Sequence, residues 1–435
     1  MRTPKLGAAF WRMYAATACS DLADGIGRTA LPLAAASYTR NPVAVSGLVT
    51  FAFLPWLLFA LPSGVLVDRL DRRYAMAGAN AARAVAVAVL AVLLVAHVGN
   101  VAVLYVVAFV LGVAETVYDS AVRALLPQLV ERDQLDKGNS LVTVEESLGQ
   151  TFVGAPLGSV VFAAAIALPF VLNAAGFLLA VLLILTVRGS YRPVRAERTS
   201  VRTDMVEGVG WLRRHGLLRG LTLISAGCAF ASAGCTGVLV LYSLEVLQLP
   251  SGDFGLLLVV AGIGGVLGSL VTPRLARALG RRIVVSAGGV VSGAATAAMA
   301  LTHNGYLAAA LFGVASAGVM TWNVLTMSLR QALIPHHLFG RVQGAYRTLV
   351  WGVIPLGAIL GGWLADALGI RTVFAVAGAV SVAMALALAR LMGHYPRELA
   401  DMQQDPAAIG ADLTLPVTRR SGCARGAPDA ASAAT

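Results

Sequence analysis

Charge is what this sequence lacks. Of its 435 residues only 13% are Asp, Glu, Lys or Arg, against roughly 25% in a soluble globular chain, while 58% are hydrophobic and the mean hydropathy is +0.77. A chain so apolar cannot present a water-compatible surface, so its solvent is lipid. The scarcity is also uneven. Between Arg282 and Arg330 run 47 residues with no charge at all. As one helix they would extend about 70 Å at 1.5 Å per residue, more than twice a hydrocarbon core of about 30 Å. The run must therefore turn back once, and His303-Asn304-Gly305 is the polar turn cluster near its middle. The stretch from Ser147 to Val187 is equally bare and turns at Leu168-Pro169. Each reads as a helical hairpin crossing the membrane twice.

Lysine and cysteine are nearly missing too. The only lysines are Lys5 and Lys137, and neither follows glycine, so the chain has no Walker A loop and is not a primary pump on its own. Cys19, Cys228 and Cys235 lie in apolar stretches and Cys423 near the end, with no CxxC pair, so a packing role is expected and a disulfide framework is not. His336-His337 is a loop pair without further ligands, so neither a metal nor another cofactor is expected. Nothing resembles a nucleophile elbow, which argues against an enzyme. The first apolar stretch carries Asp21, Asp24 and Arg28 and lacks a cleavage site, so it reads as a span rather than a signal peptide.

What is present is a series of twelve apolar spans, near residues 10–37, 43–67, 74–97, 101–121, 140–165, 169–188, 219–244, 254–273, 283–302, 305–328, 345–366 and 371–392. The fold expected is an all-α membrane protein. The net charge of +11 and pI of about 10.0 could suggest nucleic acid, but the arginines crowd alternate short loops. Arg69, Arg72 and Arg73, the set from Arg188 to Arg219, and Arg274 to Arg282 lie on one side, with only Arg40 and Arg371 on the other. The positive-inside rule accounts for this and places both termini in the cytoplasm of a cell whose inner membrane the chain crosses. Residues 1–188 then form one six-helix bundle and 219–394 a second. Between them, 189–218 is a basic cytoplasmic linker, and 395–435 is a tail expected to be disordered.

The two bundles echo one another. Arg123-Ala-Leu-Leu-Pro127 follows the fourth span and Arg330-Gln-Ala-Leu-Ile-Pro335 the tenth. Pro156-Leu157-Gly158 lies in the fifth and Pro355-Leu356-Gly357 in the eleventh, while Arg72-Arg73 and Arg281-Arg282 close corresponding loops. Three matches in the same order indicate internal duplication, and parallel six-helix repeats are a transporter architecture.

At the end of the second span the chain reads Gly64-Val-Leu-Val-Asp68-Arg69-Leu-Asp71-Arg72-Arg73. This resembles the G-x-x-x-D-R-x-G-R-R/K loop signature of the major facilitator superfamily, with Asp71 in the place of the usual glycine. The resemblance extends over almost the whole chain. It implies a latch between the halves on the cytoplasmic side: Gly64 would permit close helix approach, Asp68 would face the amino-terminal end of the eleventh span, and Arg69, Arg72 and Arg73 would supply ion pairs. In the fifth span, Gly154-Ala155-Pro156-Leu157-Gly158 is similar to the glycine-proline signature of the family's drug:proton antiporters, with Ala155 and Ser159 departing from it. The branch it looks most like contains the macrolide and enterobactin exporters. Small-residue packing with no bearing on direction is the alternative reading of that segment.

Ionisable side chains at membrane depth are functional candidates because leaving them unpaired costs several kcal/mol. Here they are Asp21, Asp24 and Arg28 in the first span, Arg83 in the third, Glu115 and Asp119 in the fourth, and Glu145 and Glu146 at the start of the fifth. Asp21 and Asp24 share a helix face. Arg28 is one turn from Asp24 and is expected to neutralise it, leaving Asp21 as the less compensated carboxylate and the leading proton carrier, with Glu115 second. Arg83 is expected to pair with Glu115. Static ion pairs holding the bundle together are the alternative. Trp322, Asn323, Tyr346 and Trp351 are expected to line an apolar substrate wall in the second half. The function implied is proton-coupled export of small amphipathic molecules by a monomer, its partners being substrate, protons and the bilayer, with no nucleic acid. An importer or a non-transporting membrane sensor is the alternative.

Overall fold

Some helices in this protein start where a short polar side chain can take up their first free amides. Asn100 accepts the Val103 N–H at 3.0 Å, Asn304 accepts those of Tyr306 and Leu307 at 2.9 and 3.1 Å, and Asp71 accepts that of Arg73 at 3.0 Å. The computed structural model describes residues 6–67, 69–131, 134–191, 201–335 and 338–395. Asp68 of the loop motif, the His336-His337 pair and the tail from 396 lie outside these.

In the first half α1 spans Ala8–Tyr38, α2 Pro42–Val67, α3 Arg72–Val95 and α4 Val101–Leu129. The fifth span is composite: α5 (Leu135–Ser147), a π-helical turn (Leu148–Gly154) and α6 (Ala155–Ala164), after which α7 covers Leu168–Leu185. Helix α8 (Val201–Arg214) lies within the expected linker. The second half consists of α9 (Gly216–Leu241), α10 (Phe254–Leu279), α11 (Arg281–Met299), α12 (Gly305–Leu333), a broken eleventh span of α13 (Phe339–Gly352) and α14 (Ile354–Leu368), and α15 (Ile370–Gly393). No strand occurs among the described residues.

Among the described residues, eleven helical stretches are long and apolar enough to cross a membrane. Helix α1 is not among them, because Asp21, Asp24 and Arg28 interrupt its apolar run, yet its 31 residues lie against α6 and α7 as a twelfth. The surface is inverted relative to a soluble protein, with Leu301 84% and Tyr306 91% exposed. Several helices outrun their apolar cores. Helix α4 continues to Leu129, α10 to Leu279 and α12 to Leu333, and span eleven begins at Phe339 rather than near 345. A helix satisfies its own backbone, so hydrogen bonding does not stop where hydrophobicity does.

Both composite spans break beside the duplicated Pro-Leu-Gly. Pro156 and Pro355 offer no N–H. In span five the Ala155 N–H reaches back to the Gln150 carbonyl, which widens the turn, and in span eleven the helix is interrupted at Val353.

The halves meet tightly at the face bearing Asn41, Asn304 and Gly369, opposite the arginine-rich face. Ser46 of α2, fully buried, sits between Gly237 of α9 and Gly362 of α14. Thr50 donates to the Pro355 carbonyl at 3.1 Å and the Asn41 amide to Asp366 at 3.2 Å. The Ser159 hydroxyl bridges to α10, donating to Gly252 O and accepting from the Gly255 N–H at 3.1 Å.

Candidate functional site

Between the halves lies a cavity of about 790 Å³. Helix α1 presents one face to it, Thr17, Asp21, Asp24, Arg28 and Leu31, the i, i+4, i+7 recurrence of a single helical stripe. Arg83 of α3, Glu115, Asp119 and Arg123 of α4, and Glu146 and Gln150 of span five add further polar groups to the lining. The second half contributes Leu239, Val240, Phe254, Leu258, Ile354 and Trp351, with Arg347 among them. The lining extends to Leu126 and Asn139 toward the arginine-rich face, and the Ser46 seal stands at the other.

The ion pairs differ from those expected. Asp24 is held by Arg83, whose Nη1 donates at 3.0 Å, and not by Arg28. Arg83 is 1% exposed and lies over the rings of Tyr118 and Phe177, 5.0 and 5.3 Å from their centroids. It therefore serves Asp24 rather than Glu115. Helix α3 turns Arg83 toward α1, where Ser20 and Asn80 hydrogen-bond to each other beside it at 3.2 Å. Arg28 lines the cavity with no ion-pair partner among the described residues, and Glu115, which also lines it, forms no ion pair with Arg28 or Arg83. Asp21 is 7% exposed and accepts a hydrogen bond from the Gln150 amide at 2.8 Å.

Toward the arginine-rich face, Asp119 is chelated by Arg123 at 3.0 and 3.1 Å and reached by Arg347 of the other half at 3.7 Å. Arg347 lies 4.0 Å above Trp351 and 5.2 Å from Trp56, and the two indoles meet edge to face at 5.1 Å. This Arg347 cluster joins the halves on the cavity's open side. The second-half wall expected to be apolar also carries a charge, because Arg347, near the start of span eleven, lines the cavity. Of the four expected wall residues only Trp351 lines the cavity. Trp322 is buried in an apolar cluster with Leu325 and Leu329, Tyr346 covers Arg330 at 3.9 Å, and Asn323 faces away.

In this conformation the described residues of the loop motif make their contacts within the first half. Among the described residues nothing lies within 4 Å of where a Gly64 side chain would begin, so none of the described helices approaches closely there in this conformation. Arg69 is exposed. Arg72 and Arg73 donate to the carbonyls of Ala124 and Val187, at 2.9 and 2.5 Å, in place of the expected ion pairs. Asp71, the departure from the motif, caps α3 and accepts the Tyr191 N–H at 3.1 Å. The span-five glycines do make close approaches: a Cβ on Gly154 would lie 2.7 Å from Gly25 Cα, and one on Gly158 2.5 Å from Ile26 O.

A large polar-and-apolar cavity between two packed helical bundles, sealed at one face, is the architecture of a solute transporter. The family model of the Major Facilitator Superfamily matches residues 13–355, and the chain belongs to that family. It is a multi-pass membrane transporter, not an enzyme. Among its relatives are the multidrug efflux pump Tap of Mycolicibacterium fortuitum, 28% identical over 81% of this chain and 88% of the relative, and macrolide efflux protein A of Streptococcus pyogenes, 24% identical over 87% and 94%. An uncharacterized MFS-type transporter of Mycobacterium tuberculosis is 29% identical over 66% and 69%. Among solved structures, the nucleoside transporter NupG superposes with a TM-score of 0.73 at 13% identity, covering 89% of this chain and 99% of that one. A bacterial homologue of the iron transporter ferroportin, in an inward-facing state, superposes at 0.70 with 16% identity, covering 88% and 98%. These likenesses concern the fold.

Proposed function

We propose that the protein is a proton-coupled exporter of small amphipathic molecules, such as drugs, macrolides, siderophores or other secondary metabolites, working as a monomer in the cell membrane. The single observation that carries this reading is the cavity's division of labour. Its first-half wall holds the carboxylates Asp21, Glu115 and Asp119, and its second-half wall is mainly apolar and aromatic. Such a pocket suits ligands that are largely greasy with a few polar groups, while a carboxylate at membrane depth is the group type that exchanges protons. The efflux names carried by two relatives agree with the direction. With the arginine-rich face in the cytoplasm, the cavity opens inward and collects solute from the cell, and the Ser46 seal bars the exit until the halves rock. The two composite spans are where that rocking bends. Asp68, outside the described residues, is proposed to act with the motif as the latch that closes the cytoplasmic side.

The test is transport in sealed vesicles with a fluorescent amphipathic dye. An imposed proton gradient is expected to drive dye movement that an uncoupler abolishes. Dye movement in the uptake direction would favour an importer, and none with any compound of a broad panel would favour a sensor; either result ends the export reading.

A further inference from the structure

Asp21 has a neighbour that the cavity lining does not reveal. Glu145 of α5 is 6% exposed, and its carboxyl faces Asp21 and Thr17 with neither oxygen in a well-formed hydrogen bond. Span five can present Glu145 there because Gly149, one helical turn on, lies flat against α1: a Cβ on it would be 3.2 Å from that of Asp21. Two carboxyls thus meet inside the protein, and among the described residues neither has a cation within ion-pair distance. The buried Arg83 is committed to Asp24.

The other titratable and polar groups around the pair come from α1, span five, α3 and α4. Helix α1 supplies Tyr14, Cys19 and Asp24, span five Glu146, α3 Asn80 and Arg83, and α4 Tyr118. Apart from the committed Arg83 these are neutral or acidic. Two ionised carboxylates side by side in low dielectric, uncompensated, are strongly unfavourable, and one proton shared between them removes the conflict.

We infer that Asp21 and Glu145 together form a proton-binding site, holding one proton as a carboxyl–carboxylate pair, with the Gln150 amide as the positioning group on Asp21. This rests on the proton-coupled reading above and assigns its proton to a place. Asp21 and Gln150 touch the cavity and Glu145 does not, so the proton is exchanged at Asp21 and stabilised from behind by Glu145. The site spans the interface of α1 and span five, directly before the π-helical turn, and the backbones at Gly25 and Gly154 are already in contact. Release of the proton into the cavity leaves two facing carboxylates across that interface. The irregular turn is the segment able to yield, so proton release pushes α5 away from α1.

The experiment compares wild type, Asp21→Asn, Glu145→Gln and the conservative Glu145→Asp in liposomes, following both gradient-driven accumulation and dye exchange at equal pH. Glu145→Gln is expected to lose accumulation and the pH dependence of exchange while still exchanging dye, with Glu145→Asp restoring part of the accumulation. Wild-type accumulation in Glu145→Gln overturns the pair, whereas wild type that ignores an imposed pH gradient overturns the proton-coupled reading itself. A sodium gradient driving wild type also overturns both. Should a variant fail to fold, infrared difference spectra of wild type decide: a protonated-carboxyl band that vanishes on alkalinisation is expected, and its absence sinks the inference.

Discussion

Gly362 is the position at which one added methyl should change which side of the protein is open. In the structure its α-carbon faces Ser46 across the boundary between the halves. A Cβ there would overlap the Ser46 hydroxyl and lie 2.9 Å from Pro42 O and 3.0 Å from Ser46 Cβ. Ser46 cannot retreat, because Gly237 sits on its other side, where a Cβ would come within 2.9 Å of it, and its hydroxyl is engaged with Val43 O at 3.1 Å. Overpacking of this kind costs about 1–3 kcal/mol. The penalty applies only while the seal is closed, so it shifts the closed-to-open equilibrium by roughly 5- to 150-fold. The assay is thiol labelling. In a background lacking Cys19, Cys228, Cys235 and Cys423, a cysteine replaces Val49, which lines the cavity one turn inside Ser46. A membrane-impermeant reagent is added from the Asn41 side. Gly362→Ala should accelerate labelling by a factor in that range, and adding Ser46→Gly should return it toward the parent rate. Folded Gly362→Ala protein labelling no faster than its parent would refute the seal.

Three further outcomes follow from the site. Arg83 is 1% exposed and Asp24 20%, so removing the acid strands the more buried charge: Asp24→Asn should lower thermal stability in detergent more than Arg83→Met, each within about 3–5 kcal/mol. Arg347→Ala and Trp56→Ala should be non-additive by about 0.5–1 kcal/mol in a double-mutant cycle on melting, since the exposed ion pair to Asp119 is weak and the stacking adds to it. Asp71→Ala should destabilise the first turn of α3 by about 1 kcal/mol, read as faster amide hydrogen exchange over residues 72–75, whereas Asp71→Asn keeps the cap.

The spans and their order were legible because hydropathy, charge gaps and loop arginines are one-dimensional signals that the bilayer enforces along the chain. The candidate site was legible only in part. Charges at membrane depth identified Asp21, Asp24, Arg83, Glu115 and Asp119 as cavity residues, but pairing depends on helix rotation, which sequence spacing does not give across helices. Hence Arg83 met Asp24 instead of Glu115, and Arg28 stayed open. Arg347 fell at the edge of the expected eleventh span, where an arginine looks like a loop residue, and only the rotation of the helix shows that it lines the cavity. Trp322 and Tyr346 were misplaced for a related reason: an aromatic in a span has several apolar directions to face, and only packing selects one. Asp71 carried a usable signal, since an Asp just ahead of a helical run is an N-cap before it is a motif exception.

The connection between the halves is pinned at both ends. Its start is fastened to the first half, where Asp71 takes the Tyr191 N–H and the Tyr191 carbonyl receives that of Arg72. Helix α8 is fastened to the second half through the Glu207–Arg341 pair and the close seating of Gly208 on the Arg341 backbone. The chain from Tyr191 to Val201 reaches at most about 33–36 Å fully stretched, and the first turns of α8 up to Glu207 add about 9 Å. However the two bundles swing, that covalent leash sets an upper limit on how wide the arginine-rich mouth can gape, and shortening it residue by residue would narrow the largest cargo admitted.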